Sequence, residues 1–338
     1  MKKILLFLIG IFAFILWFYY IDPKETWQGI KTVDLSYLFL GYAFFFISHF
    51  LKILRWGLIL EKIRKVPFVI VCKYYWASIF INTFMPLRVG ELSKSLFLKK
   101  DYDIDISASM SSIVVDRFYG FVVRLVVICF IPFLKIDLYS YLKQYLIYVA
   151  VLSVIILVLL GISFKKHNLF LKIVNNTFFF LPQSWKQPIL SFVERSILTI
   201  RKIHFQKKDV LLFILLSLIA LIAQAYVAYY LFRAVNIELS IGTFIISTTI
   251  MDFLVILPSP PAGIGTTEWY TNIVYTLGLG IPKNPVASIT LVAHGISLCI
   301  YAFLGCISLA AIGPGIFRKD SWGCQKPATH EKDIACRA

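Results

Sequence analysis

The sequence predicts an all-α, polytopic membrane protein with about six transmembrane helices and two re-entrant helical hairpins arranged as an inverted repeat. Three observations predict it. Of 338 residues, 59% are hydrophobic and 15% charged, with a mean hydropathy of +0.80; a soluble domain carries roughly a quarter charged residues. The stretches 4–21, 35–60, 105–134, 142–164, 209–233 and 286–314 are apolar over the length of about 20 residues that a helical span needs. Two further apolar stretches, 67–98 and 240–280, are broken in the middle, by 82-NTFMPLRVGE-91 and by 258-PSPPAGIGTTE-268.

Each element follows from its flanks. Segment 4–21 follows Met1-Lys2-Lys3 like a signal peptide, but Trp17-Phe18-Tyr19-Tyr20-Ile21-Asp22-Pro23 offers no small-residue cleavage site. It is expected to stay as an uncleaved anchor. Segment 35–60 returns to the cytoplasm, leaving the basic 61-EKIRKVP-67 there. Region 67–98 is then followed by the Lys-bearing 99-KKDYDID-105, so both of its flanks lie on one side. A chain that enters and leaves on the same side is a re-entrant hairpin. At its tip Pro86 disfavours helix at Met85 and donates no backbone hydrogen bond, and Gly90 permits close backbone approach. Non-helical backbone at membrane depth survives only when buried in protein or lining a wet cavity, so this tip predicts a polar cavity.

Segment 105–134 then runs outward, 142–164 inward and 209–233 outward. Region 240–280 therefore starts and ends outside, and 286–314 returns to the cytoplasm. Helix, cytoplasmic hairpin, helix is followed by helix, external hairpin, helix. Inverted repeats with paired broken helices mark secondary transporters, with the binding site near the midplane. Eight ordinary spans, two of them kinked, are the alternative. Residues 1–318 form one integral membrane domain, its first half about 1–134 and its second about 142–314, with a basic cytoplasmic loop at 165–208. Residues 319–338 form a polar tail expected to be disordered.

The net charge of +16 would suggest nucleic acid in a soluble protein. Here most of the 34 Lys and Arg residues fall in segments that the positive-inside rule assigns to the cytoplasm. Both termini are placed there, in a plasma membrane protein. The 165–208 loop is expected to lie along the anionic inner leaflet, and no nucleic-acid partner is expected, because the basic residues follow loop topology rather than a recognition fold. Cys72, Cys129, Cys299 and Cys306 lie in apolar segments as small hydrophobes, and Cys324 and Cys336 lie in the tail. No zinc spacing, phosphate-binding loop or nucleotide fingerprint occurs, so neither a metal nor a cofactor is expected.

Ionisable residues at membrane depth cost roughly 2.5–3.5 kcal/mol each on insertion scales and usually face protein or water. The cations at depth are Lys52, Arg55, Lys73, Arg88, Lys94, Arg117 and Arg124; the anions are Glu91, Asp116, Asp252 and Glu268. The excess of cations predicts an anionic ligand. Arg88 follows the first break, near the N-terminus of a half-helix that already attracts anions, and its planar guanidinium suits a phosphate. Glu91 either holds Arg88 in place, completes a polar network, or pairs with Arg88 merely to plug the tip, and Asn82 lies in the same break. In the second hairpin, Gly263 and Gly265 are expected to free backbone N–H groups, with Glu268 in the position matching Glu91. His49, Lys52 and Arg55 share a helix face near the cytoplasmic end, where Lys52 in particular is expected to snorkel. Asp116 and Arg117 lie too deep for that and are expected to pair within the bundle. Asp252 is either a cation or proton site or an arginine partner, and His294, which could carry protons, is expected to be a hydrogen-bonded structural histidine.

At these residues the chain resembles a known family. Arg55-Trp56, Asn82-x3-Pro86-x-Arg88-x-Gly90-Glu91, Asp116-Arg117 and Pro258-x-Pro260-x2-Gly263-x-Gly265-x2-Glu268 resemble the transmembrane region of lysylphosphatidylglycerol synthases and the stand-alone flippase-like proteins related to it. The resemblance covers residues 1 to about 318. It implies a lipid-translocating module for modified or glycosylated anionic lipids, with Arg88, Glu91 and Glu268 in the polar core. The family's acidic–Arg pair is usually followed three residues later by Asp, where this sequence has Gly120. The synthases also carry a soluble aminoacyl-transfer domain that this sequence lacks after its last helix, so synthesis of lysyl-lipid by that domain is not expected.

The function expected is translocation of an anionic or modified lipid between leaflets, by a protein that is not itself an enzyme. Asn82, Arg88, Glu91, Gly263, Gly265, Glu268, Arg55 and Arg117 are the candidate binding residues. Two other classes stay open: a membrane-embedded transferase on a lipid-linked substrate, with Glu91 and Glu268 as acid and base, and a non-catalytic partner of a glycosyl- or aminoacyl-transferase docked through the basic loop. The expected partners are an anionic phospholipid or lipid-linked sugar and the membrane itself, with a membrane-associated transferase and a second copy of the chain as further candidates.

Overall fold

The fold is set by which helices can close their own ends. In the computed structural model, residues 2–85, 89–130, 147–148, 151, 154–155, 205–255 and 259–313 are described. They form α1 (Lys2–Tyr20), α2 (Pro23–Lys31), α3 (Leu35–Glu61), α4 (Phe68–Phe84), α5 (Gly90–Tyr102), α6 (Ile106–Phe130), α7 (Lys207–Arg233), α8 (Ile241–Leu254), a 3₁₀ turn (Pro261–Gly263), α9 (Thr266–Thr271), a π-helical turn (Asn272–Leu277) and α10 (Lys283–Ile312). Asp22 caps α2, accepting from the Lys24 N–H at 2.9 Å ahead of Pro23 in the first turn. Asp34 caps α3 through the Ser36 N–H at 2.8 Å, Ser240 caps α8 through the Thr243 N–H at 3.2 Å, and Gly313, at φ 86°, ends α10.

Of the described helices, α3, α7 and α10 are long and apolar enough to cross a membrane. The surface is inverted relative to a soluble protein. Phe39, Phe50, Leu211, Phe303 and Ile307 point outward, while Arg55, Lys94, Glu268, Asn272 and a series of serines are buried. This is an all-helical membrane protein.

α3 and α7 run antiparallel in contact over their whole length, about 40 Å at 1.5 Å per residue. The Asp34 N–H donates to the Ala234 carbonyl at 2.9 Å at one end, Ser48 Oγ to the Ala220 carbonyl at 3.0 Å in the middle, and Lys62 pairs with Asp209 at 2.8 Å at the other. α4 and α5 fold back on each other. Tyr74 stacks near Phe97 with ring centroids 5.4 Å apart and its hydroxyl bonds Asp101, while Gly90 sits on Ser78 and Asn82. α8 returns likewise, with Ser247 Oγ donating to the Tyr275 hydroxyl at 2.9 Å. The second return is a six-residue α9 continued as a π turn, shorter than the half-helix expected.

The predicted span 105–134 is helical over Ile106–Phe130. Most of 142–164, almost all of the basic loop 165–208 and the tail 319–338 lie outside the described residues, as do Pro86, Leu87, Arg88 and Pro258. α2 was not expected. It is an amphipathic helix of nine residues, about two and a half turns, with Trp27 exposed and Lys31 over its ring at 5.6 Å, and it packs on the start of α10, where Ser288 Oγ donates to the Thr26 carbonyl at 2.9 Å.

α10 lies against α4 so closely that a Cβ on Gly305 would come within 2.7 Å of Phe80 Cγ. Gly305→Leu must therefore push these helices apart. We expect it to destabilise the protein by about 1–3 kcal/mol, read as a lowered Tm in detergent; an unchanged Tm would place the two helices further apart than described.

Candidate functional site

The first hairpin tip is built around the absence of a side chain. A Cβ on Gly90 would run into the Ser78 carbonyl oxygen and lie 2.7 Å from Asn82 Cγ, so only glycine lets α5 begin here. The Gly90 N–H donates to Asn82 Oδ1 at 2.8 Å, and Asn82 Nδ2 donates to Glu91 Oε1 at 3.4 Å. Glu91 thus faces the interior, where it accepts from Lys94 Nζ at 3.1 Å and from Arg117. The Lys94 ammonium is buried over the faces of Trp56, at 4.7 Å, and Tyr75, at 5.2 Å, a setting in which ring quadrupoles replace water. Arg88, the expected anchor, lies outside the described residues. The partners observed for Glu91 are Lys94 and Arg117.

A second set of bonds ties α3, α6, α7 and α8. Arg55 Nε donates to Asp116 Oδ1 at 2.7 Å and Arg55 Nη1 to Ser217 Oγ at 2.5 Å. Lys52 does not snorkel to the cytoplasmic end. Side chains on a helix lean toward its N-terminus, and Lys52 Nζ reaches Gln224 Oε1 at 2.8 Å. Gln224 Nε2 in turn donates to Asp252 Oδ1 at 3.1 Å, and Arg124 Nε donates to Asp252 Oδ2 at 2.6 Å. Asp252 is therefore the arginine partner of the two alternatives. Gly120 explains the geometry of Arg124: a Cβ there would lie 3.1 Å from Arg124 Nη1 and 3.5 Å from Arg55 Nη1. With no side chain in the way, Arg124 bonds the Gly120 carbonyl at 2.9 Å.

The second tip is closed on itself. Ala262, Gly263 and Gly265 have φ of 59°, 67° and 82°, and a Cβ on Gly265 would come within 2.8 Å of the Phe14 nitrogen on α1. The Gly263 N–H is used by the Pro260 carbonyl at 2.9 Å and the Gly265 N–H by Glu268 Oε2 at 2.7 Å. These two N–H groups, expected to be free, are spent on the turn and on the Glu268 carboxylate three residues on. Glu268 is 3% exposed and lies 2.7 Å from His294 Nδ1; His294 Nε2 lies 2.9 Å from the Ala262 carbonyl oxygen. His294 is thus the hydrogen-bonded histidine expected, and it fastens α10 to the tip.

Between the two tips stand polar aromatics. The Tyr75 hydroxyl is 2.9 Å from His49 Nδ1, the His49 ring lies 6.0 Å from that of Tyr301, and Tyr42 donates to the Ala293 carbonyl at 2.8 Å. Arg117 sits midway along α6, yet its side chain is 66% exposed. A guanidinium in so apolar a helix is costly against hydrocarbon, and its bond to Glu91 supplies one charged partner.

A family model described as Lysylphosphatidylglycerol synthase TM region matches residues 3–305. The chain belongs to that family. No curated protein matches it. Membership in the Lysylphosphatidylglycerol synthase TM region family agrees with an all-helical membrane protein and with a role tied to membrane lipid. Of the residues expected at the site, Asn82, Glu91 and Arg117 meet in one cluster, Arg55 belongs to the second set through Asp116, and Gly263, Gly265 and Glu268 form a third. Gln224 was overlooked, and Lys52 was expected to snorkel rather than to bond it. An amide in the middle of the apolar α7 is the sequence signal for Gln224.

Proposed function

We propose that this protein moves an anionic phospholipid, or an anionic lipid-linked sugar, between the leaflets of the plasma membrane along the polar face between its two hairpins. The observation that carries this reading is a charge surplus. Lys52, Arg55, Lys94, Arg117 and Arg124 face Glu91, Asp116 and Asp252, so among the described residues these bonded groups hold two more cations than carboxylates. An anionic headgroup passing through would balance it, with Arg117 as its most accessible contact, Asn82, Glu91 and Arg55 holding the cations in place, and Arg88 adding a further cation at the first tip. Gly263, Gly265 and Glu268 would shape the opposite tip.

Six spans with two re-entrant hairpins in inverted repeat fit this role. α4 and α5, at 17 and 13 residues, reach about 25 and 20 Å, short of the roughly 30 Å hydrocarbon core. α3 pairs antiparallel with α7, and α10 packs on α4 while α6 meets α8 through Phe121 and Phe253. An exchange of partners of this kind is what a two-fold between halves produces. Cytoplasmic termini follow from the basic flanks. Glu91 is bonded to Lys94 and Arg117, and Glu268 to the Gly265 N–H and His294, which favours binding and structural roles over a transferase's acid–base pair.

The test uses purified protein in liposomes with a headgroup-labelled phosphatidylglycerol and a membrane-impermeant quencher added outside. Wild type should expose the inner label over time. Arg117→Gln, removing one charged hydrogen-bond donor worth roughly 1.5–3 kcal/mol, should slow the rate by about 10- to 100-fold. A wild-type rate equal to that of empty liposomes, for both phosphatidylglycerol and an anionic lipid-linked sugar, would end the lipid-movement reading.

A further inference from the structure

The charge surplus is not spread evenly. Around Glu91 stand Lys94 and Arg117; around Asp252 stand Arg124 and Lys52; the Arg55–Asp116 pair, balanced within itself, lies between. Among the described residues each end therefore carries one more cation than carboxylates. At the second end the unmatched group is Lys52. Its ammonium has three donors and spends one, on the neutral amide of Gln224. Among the described residues no carboxylate lies within 4.0 Å of it, and Asp252 has one oxygen taken by Gln224 and the other by Arg124. Gln224 links Lys52 and Asp252, taking Lys52 on its oxygen and giving its NH₂ to Asp252.

We propose that Lys52, with Arg124 behind it, forms a second anion-binding station that takes the phosphodiester of a lipid headgroup after it leaves Arg117. This rests on the lipid-movement reading and adds to it where the headgroup goes. Arg117 and Arg124 are seven residues apart on α6, about 10 Å along the axis. The second station is therefore nearer the far end of α6 than the first. The two unused donors of Lys52 suit a tetrahedral anion, which offers oxygens in several directions. A single phosphate can then be handed from one unmatched cation to the next without either site holding a deep surplus, and the intervening Arg55–Asp116 pair stays neutral throughout. Gly120 leaves room beside the two guanidiniums, since a Cβ there would lie 3.1 Å from Arg124 Nη1 and 3.5 Å from Arg55 Nη1.

Binding tests this separately from transport. The full chain in neutral detergent is titrated with short-chain phosphatidylglycerol, and the number bound is counted by native mass spectrometry. Wild type should take about two molecules at saturation, Lys52→Gln about one, and Lys52→Arg two again; short-chain phosphatidylcholine should bind at neither station. Lys52→Gln keeps a polar partner for Gln224; should it nevertheless fail to fold, Gly120→Asp, which brings a carboxylate beside Arg124, should lose the same molecule. Wild-type stoichiometry in the folded variants would overturn the second station. Displacement of the Lys52-dependent molecule by an equal concentration of inorganic phosphate would also overturn it as a lipid site. If these counts come out as expected while wild-type liposomes show no lipid movement, the station stands and the transport reading falls. If liposomes move lipid and Lys52→Gln changes neither count nor rate, the reverse holds.

Discussion

Arg55→Met is expected to cost about 3–5 kcal/mol of stability, the loss typical when one member of a buried ion pair is removed and the other stays. Arg55 is 7% exposed and Asp116 15%, with Arg55 Nε 2.7 Å from the carboxylate. Without the guanidinium, Asp116 keeps its charge in a low-dielectric setting, and Ser217 Oγ loses the donor at 2.5 Å. Met fills much of the same volume, so the loss reflects the stranded carboxylate rather than a cavity. The double variant Arg55→Met/Asp116→Leu removes both charges and should recover most of the loss. Unfolding in detergent, run as a double-mutant cycle, measures this. Equal losses in the single and double variants would mean that Arg55 contributes by packing alone.

The same pair shows how far the sequence could be followed. Asp116 and Arg117 were expected to be paired in the bundle, because at the middle of α6 a charge has no route to water along its own side chain. Which residue takes which partner was not legible. Neighbours in sequence point about 100° apart on a helix, so Asp116 turns to α3 and Arg117 to Glu91. Lys52 was misread for a reason of direction. Its place near one end of α3 suggested snorkelling, but the lean of helical side chains carries its ammonium the other way, to Gln224. The two Pro/Gly breaks were legible because no span tolerates them, and Gly90 fits the expected close approach. The second tip was legible as a break and not as a closed turn. Its glycines suggested free N–H groups, whereas a positive-φ turn consumes those groups to hold itself.

Glu268 is where the second tip is most exposed to a single change. Its Oε2 accepts the Gly265 N–H at 2.7 Å and its Oε1 meets His294 Nδ1 at 2.7 Å, while His294 Nε2 meets the Ala262 carbonyl at 2.9 Å. Nε2 must donate, because a carbonyl only accepts. One further proton therefore lies between Nδ1 and the carboxyl group, and the pair is neutral as a whole wherever that proton sits. Glu268→Ala strands the Gly265 N–H, removes the partner of Nδ1 and frees the ring that holds Ala262 at its positive φ. We expect a loss of about 3–5 kcal/mol. Glu268→Gln can keep every bond, its amide oxygen accepting from Gly265 and its NH₂ donating to Nδ1, so it should cost about 1 kcal/mol or less. Thermal unfolding of both variants decides between two accounts of the tip. If Gln is tolerated, hydrogen-bond geometry holds α10 to the tip and the proton is dispensable to the fold. If Gln is as damaging as Ala, the attraction between an imidazolium and a carboxylate holds it, and the second hairpin is fastened by charge.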